Sequence, residues 1–554
     1  MRIINIKQRL LMFAGSLFIA MGAMAVPPVP GFVNITQPDG TKVEARIIGD
    51  REFHYYLLRD GSYMMADPAD GFLKPVSFEK VEALRAADLE RREAAANDLA
   101  LRIAPGVIKK EFPTTGTVKG LIVLAEFQDV KFQPGSTREY FETKLNKEGY
   151  VGDETIGSAL DYFKEQSYGQ FTPEFDVVGP ITLPKTRAEY GYNEDLDGLF
   201  RDAALHADSD CSVNFADYDI NDDHFVDFFF VIFAGHGEAQ GGPTECVWPA
   251  MKDMTYYIND RFDGKYIGVA ACSCELKGGE GTALDGVGTV CHEFSHILGL
   301  PDIYDPQGTG GYGMGHFDMM CYGPYNGDMR VPSGYTAMDK YTLGWLTPRV
   351  LDAPEKDVVL HDLVSSDECI FIVNPDNNNE YYTLENRQLR GFDSELPGHG
   401  LVITYVNYNR NAWKKNTVNA LLSGYEHVSI VAADNSRVLN TSSSVQNYEA
   451  GDPFPGVKGV TAFTDNSVPQ AYWQASGKLK PLGMPITNIR ESADGVITFD
   501  FMSEDSGVEE IGMAETDKEY YSLQGIKVAP QALTDGVYIV RDSKGQTSKV
   551  MIRK

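Results

Sequence analysis

Residues Thr289 to Asp302 read TVCHEFSHILGLPD, and four of them have the types and spacing of a hydrolytic metal centre. His292 and His296 stand at i and i+4, so on a helix both imidazoles share one face and reach one ion. Zinc takes neutral imidazole nitrogens, and a catalytic site keeps three protein ligands with a fourth position for water. Glu293, beside the first histidine, has the chemistry of a general base for that water. Gly299 stands where a sharp turn would return the chain to the metal, and Asp302 falls where H-E-x-x-H-x-x-G-x-x-H motifs carry a third histidine. Carboxylate oxygen is an accepted zinc ligand, so Asp302 completes the set. A downstream glutamate as third ligand is disfavoured, because the next one, Glu355, lies beyond the apparent end of the domain.

The element that must hold these residues is a helix through about Leu298, with Asp285 as its expected N-cap and Gly299 ending it. Val287, Val290, Phe294 and Ile297 give it one apolar face. Other metal-capable residues are weaker. His236 and His316 read as structural histidines. Cys272-x-Cys274 lacks the second pair of a zinc finger. Asp219, Asn221, Asp223 and Asp227 occupy positions 1, 3, 5 and 9 of a calcium loop, although His224 and Phe230 replace its glycine and its bidentate glutamate.

Around this helix the 554-residue chain divides by pattern. Basic residues, the apolar run LLMFAGSLFIAMGAM and Ala23-Met24-Ala25 make 1–25 a secretory signal peptide. Residues 26–112 combine short strands with a charged helix that is polar all round. Strands and helices alternate over 113–348, an α+β domain. Short strands separated by Asn, Asp, Gly and Pro give an all-β, sandwich-like module over 349–503. An acidic linker and a small β tail fill 504–554. The formal net charge of −30 argues against nucleic-acid or anionic-membrane partners. Seven cysteines are too few for a disulfide scaffold, though one to three bridges fit an exported chain.

FKEQSYGQF, FVIFAGHGEAQGG, CHEFSHILGLPDIYD, DKYTLGWLTP and YYTLENRQ with FDSELPGHGL occur in this order, and with them the chain resembles the immune inhibitor A-like family of secreted zinc metallopeptidases, of metzincin type. The resemblance implies zinc, protein or peptide substrates, an extracellular or cell-surface location, and a propeptide in the place of 26–112. It also implies a methionine turn at HFDMMCYG, with Met320 supporting the site beside Met319. Tyr322 then falls where some metzincins carry a tyrosine that touches zinc or steadies the oxyanion. No cysteine lies between residues 1 and 210, so latency through a zinc-blocking thiolate is excluded, leaving steric cover or a carboxylate. The tail resembles the sorting domains of type IX secretion, which implies that machinery as a partner. Two further readings use the same residues. One is a surface adhesin or glycan-binding protein with a relic zinc helix, disfavoured by the intact Glu293; the other is a zinc hydrolase of non-peptide substrates.

Overall fold

In the computed structural model, the residues described are 23–102, 112–192, 195–255, 260–441, 444–475, 478–503, 508–511, 518–522, 525–534, 536–541 and 547–552. Residues 1–22 of the expected signal peptide lie outside them. Among the described residues no helix is long and apolar enough to cross a membrane.

The module that carries the helix Gly288–Ile297 is mixed α/β. Its six-stranded sheet runs, from one edge, Ala23–Ala25, Ala250–Asp253, Val269–Leu276, Phe229–His236, Gly116–Glu126, Phe171–Thr182. The last four are mutually parallel, and Ala250–Asp253 pairs antiparallel with Val269–Leu276. VDFFFVIFA and LIVLAEF are near-continuous apolar runs because central parallel strands are covered on both faces. The helix Gly288–Ile297 lies on one of those faces, with Phe294 edge-on to Phe163 and Phe228 at ring separations of 4.7 and 4.6 Å.

Before this module, Val33–Thr36, Lys42–Gly49, His54–Leu58, Tyr63–Ala66 and Leu73–Val76 form an antiparallel meander, followed by the helix Phe78–Arg102. That helix, polar all round in sequence, is held by buried charges. Arg92 donates to Asp50 at 2.8 and 2.9 Å and to Asp88 at 2.6 Å, and Gln307 donates to Asp88 at 3.0 Å. Asp88 and Arg92 thus form a buried stripe on a helix that otherwise lies on the surface, set against the meander and Gln307.

After the α/β module come a five-stranded sheet (Arg349–Val350, Ile370–Val373, Glu380–Arg387, Gly400–Asn407, Val428–Ile430) and a three-stranded one (Glu355–Leu360, Ile497–Phe501, Ile486–Glu491). The two share a core that includes Leu360, Ile372, Leu384, Ile403, Trp473, Ile486 and Phe499. Residues 348 and 349 do not separate two cores, however. Phe392, Val402, Val406, Trp413, Val418 and Val428 pack into one cluster with Phe294, Met319, Met320 and Trp345. Strands 508–511, 519–521, 527–528, 536–541 and 547–552 make a separate small sheet. All seven cysteines are free thiols, so none of the bridges that an exported chain would allow is formed.

Candidate metal centre and the segment that covers it

The helix Gly288–Ile297 starts two residues later than its sequence predicts. Val287 is its N-cap residue without a side-chain cap, and the Asp285 carboxylate instead accepts from the N–H of Gly286 at 2.9 Å. The local chain is tuned for close approach: a Cβ at Gly286 would lie 1.8 Å from the Met329 carbonyl oxygen, and one at Gly288 2.3 Å from that of Pro324. At the other end Gly299 adopts φ +104°, and the N–H of Leu300 donates to the Ser295 carbonyl at 3.1 Å. This left-handed glycine turn reverses the chain and brings Asp302 back over the helix.

His292 Nε2 and His296 Nε2 lie 3.2 Å apart, and Asp302 Oδ1 is 3.2 Å from each. Ligand atoms about 2.0–2.1 Å from a tetrahedral zinc are about 3.3 Å apart, so this triangle has the size the ion requires. Among the described residues, this is the group of His, Cys, Asp or Glu whose ligand atoms converge as a metal needs. All three are buried, and Asp302 Oδ1 has no hydrogen-bond partner. The opposite ring nitrogens are engaged: His292 Nδ1 with the Met319 carbonyl at 2.8 Å and His296 Nδ1 with the Leu300 carbonyl at 2.7 Å. Donation to those carbonyls places each proton on Nδ1 and turns the Nε2 lone pairs inward. Burial pushes His292 down, toward the neutral form a metal binds.

Glu293 is buried beside this triangle. Its Oε1 accepts from the N–H of Val26 at 2.7 Å, and its Oε2 is unpartnered. Burial, then the charge of Asp302, push its carboxyl well above the usual range. Met319 and Met320 are fully buried beneath the site, and the Met320 carbonyl accepts from the N–H of Ile303 at 2.7 Å. Tyr322 packs its ring against those of His316 and Tyr304 at 6.0 and 6.2 Å. His236 Nδ1 contacts the Gly278 carbonyl at 2.8 Å, and His316 pairs with Glu449 at 2.7 Å.

The calcium-like loop is bonded to itself. Asp219 faces Lys265 Nζ at 2.5 Å and accepts from the N–H groups of Asp223 and His224. Asp227 accepts from Ile220 N at 2.7 Å and from Asn221 Nδ2 at 2.6 Å.

The residues that sequence reasoning missed come from far along the chain. Ala23–Ala25 is the edge strand, pairing antiparallel with Ala250–Asp253, and the chain continues across the site. The N–H of Ala25 points to Asp302 Oδ2 at 3.5 Å, and its carbonyl accepts from the Tyr304 hydroxyl at 2.8 Å. Trp248 Nε1 donates to the Val26 carbonyl at 3.1 Å, and the Tyr325 hydroxyl donates to that of Pro27 at 2.6 Å. The peptide between Ala25 and Val26 therefore has its oxygen on a phenol and its nitrogen on Glu293. No motif announces this; Ala23-Met24-Ala25-Val26 reads only as a signal-cleavage site.

Comparison with known proteins places this geometry. Residues 123–346 match the family model described as immune inhibitor A peptidase M6, catalytic domain. The catalytic module is thus similar to metallopeptidases. The chain is 26% identical over 261 residues to the pre-pro-metalloprotease PrtV of Vibrio cholerae serotype O1 (strain M66-2), covering 38% of this chain and 28% of that one. It is 29% identical over 243 residues to immune inhibitor A of Bacillus thuringiensis subsp. alesti, covering 35% and 34%. The match therefore spans about a third of the curated relatives' length.

Proposed function

We propose that this chain is the precursor of an exported zinc-dependent endopeptidase that hydrolyses proteins outside the cell. The observation that carries the reading is the buried triangle of His292, His296 and Asp302, with an unpartnered carboxylate oxygen in it and Glu293 alongside. Zinc held there would polarise a scissile carbonyl and bring the pKa of a water to about 7. Glu293 takes the proton of the attacking water at its free Oε2 and delivers it to the departing amine nitrogen. Tyr304 donates to the carbonyl oxygen of the peptide whose nitrogen faces Glu293, which is the position a developing oxyanion would take. We place Tyr304 ahead of Tyr322 in that role, because the Tyr322 ring is seen against His316 and Tyr304 rather than on this peptide. Met320 and Met319 keep the floor of the site apolar.

Residues 26–112 act as a propeptide by steric cover: the backbone at Val26 and Pro27 lies where substrate must enter, and neither a thiolate nor a carboxylate of the segment is needed. The relative named as a pre-pro-metalloprotease agrees with such an architecture. Residues 1–25 are read as the leader and the tail sheet as a type IX sorting module. Calcium at Asp219, Asn221, Asp223 and Asp227 rests on residue spacing alone.

The test is zinc content by elemental analysis together with casein cleavage, with and without a chelator, on protein freed of residues 1–112. One zinc per chain with chelator-sensitive cleavage is expected. Zinc with cleavage only of a non-peptide ester, or a folded protein with neither zinc nor cleavage, overturns the reading, the latter in favour of an adhesin.

A further inference from the structure

We infer that Asn416 is a positioning residue for the third metal ligand, so that the site of the catalytic module is completed by a loop from the β module. The inference rests on the metallopeptidase reading above and adds to it a dependence on residues beyond 123–346.

One amide grips both the backbone and the side chain of Asp302. Asn416 Oδ1 accepts from the N–H of Asp302 at 2.9 Å, and Asn416 Nδ2 donates to Asp302 Oδ2. The division of labour between the carboxylate oxygens follows. Oδ2 is taken by the amide, and Oδ1 alone is left to face the two Nε2 atoms. A carboxylate fixed at both its backbone and one oxygen cannot turn about its side-chain bonds, which is how outer-shell partners orient a ligand.

The amide is itself held rigidly. Asn416 is buried and adopts φ +50°, a left-handed conformation that asparagine tolerates better than most residues. Its N–H donates to the Trp413 carbonyl at 3.2 Å, and that of Thr417 to Ala412 at 2.9 Å, closing a turn after the helix Arg410–Lys414. Trp413 and Val418 anchor the turn in the core shared with the catalytic module. Three residues on, Asn419 repeats the device on the next residue of the ligand loop. Its Nδ2 donates to the Ile303 carbonyl at 2.6 Å, and its Oδ1 accepts from the N–H groups of His427 and Val428 at 3.1 and 3.0 Å. The segment N-T-V-N therefore seats the chain that carries the ligand.

The experiment uses the full chain and reads metal rather than turnover. Asn416→Gly removes the amide while tolerating the positive φ; Asn416→Asp keeps an acceptor for the Asp302 N–H but loses the donor to Oδ2. Zinc affinity is measured by chelator competition, the visible absorption of the cobalt(II) form is recorded, and the metal-free melting temperature is followed. Asn416→Gly is expected to weaken zinc retention roughly 10–100-fold and to shift the cobalt band, with the metal-free melting temperature little changed. Asn416→Asp, which secures the result if the glycine variant does not fold, is expected to move the same two readouts. Wild-type affinity and cobalt spectrum in either folded variant, whatever happens to its melting temperature, overturn the inference. A wild-type chain that takes up neither zinc nor cobalt overturns the metallopeptidase reading instead.

Discussion

The backbone nitrogen of Val26 lies 2.7 Å from Glu293 Oε1, so the segment that precedes the α/β module begins on the carboxylate proposed as its general base. Val26 is fully buried there, and Trp248, Tyr304 and Tyr325 bond the carbonyls around it. Substrate and this segment cannot share the site. An occupant tethered in the same chain competes at an effective concentration in the millimolar range. Protein cleaved near residue 112 and freed of its N-terminal part should therefore cleave casein at least about tenfold faster than the intact chain. The separated part, added back, should inhibit. Equal rates before and after release would show that the segment does not restrain activity.

Asp302 should matter for metal and not for folding of the helix. Asp302→Ala leaves two histidines, an incomplete site, and removes the carboxylate that Asn416 and the two imidazoles face. Zinc retention should fall by roughly 100-fold or more in chelator competition. The far-ultraviolet circular dichroism should stay as in the wild type. Unchanged affinity would remove Asp302 from the ligand set.

The interface with the β module carries a pH signature. Burial, then the charges of Glu449 and Asp434, push Asp452 up to about 8. The folded state thus holds this proton more tightly than an unfolded chain, whose Asp titrates near 4. Stability from this group is therefore full below about pH 4 and is lost as the pH rises toward 8. Asp452→Asn should match the wild type in melting temperature at pH 4 and exceed it by a few degrees at pH 9. A difference that shrinks with rising pH would contradict the assignment.

Calcium should not stabilise the turn at 219–227. Asp219 is already paired with Lys265, and both oxygens of Asp227 accept from the loop. Millimolar calcium should leave the melting temperature unchanged, and Lys265→Ala should not create a response. A calcium-dependent rise lost in Asp223→Ala would restore the loop to the cation sites.

How much of this was legible in the sequence follows from the range of each interaction. The triangle of His292, His296 and Asp302 was readable because it is local: an i, i+4 pair, a glycine at φ +104° and an aspartate three residues on determine one another. The start of that helix was misplaced because Gly286 and Gly288 answer to distant carbonyls, those of Met329 and Pro324, which no local rule contains. Asn416 lies 114 residues from Asp302, and one asparagine in a polar loop carries no signal of its partner. The buried stripe of the Phe78–Arg102 helix was hidden for a related reason. A buried face made of Asp88 and Arg92 has the composition of a solvated one until Asp50 and Gln307 are seen against it.

The most direct test of the central claim compares wild type and Glu293→Gln, both freed of residues 1–112, for bound zinc and for casein cleavage in the same preparation. The account predicts one zinc per chain in each, with cleavage lowered in the variant by about 10²–10⁴-fold, the range a general acid–base group contributes. Cleavage at the wild-type rate by zinc-loaded Glu293→Gln would contradict it.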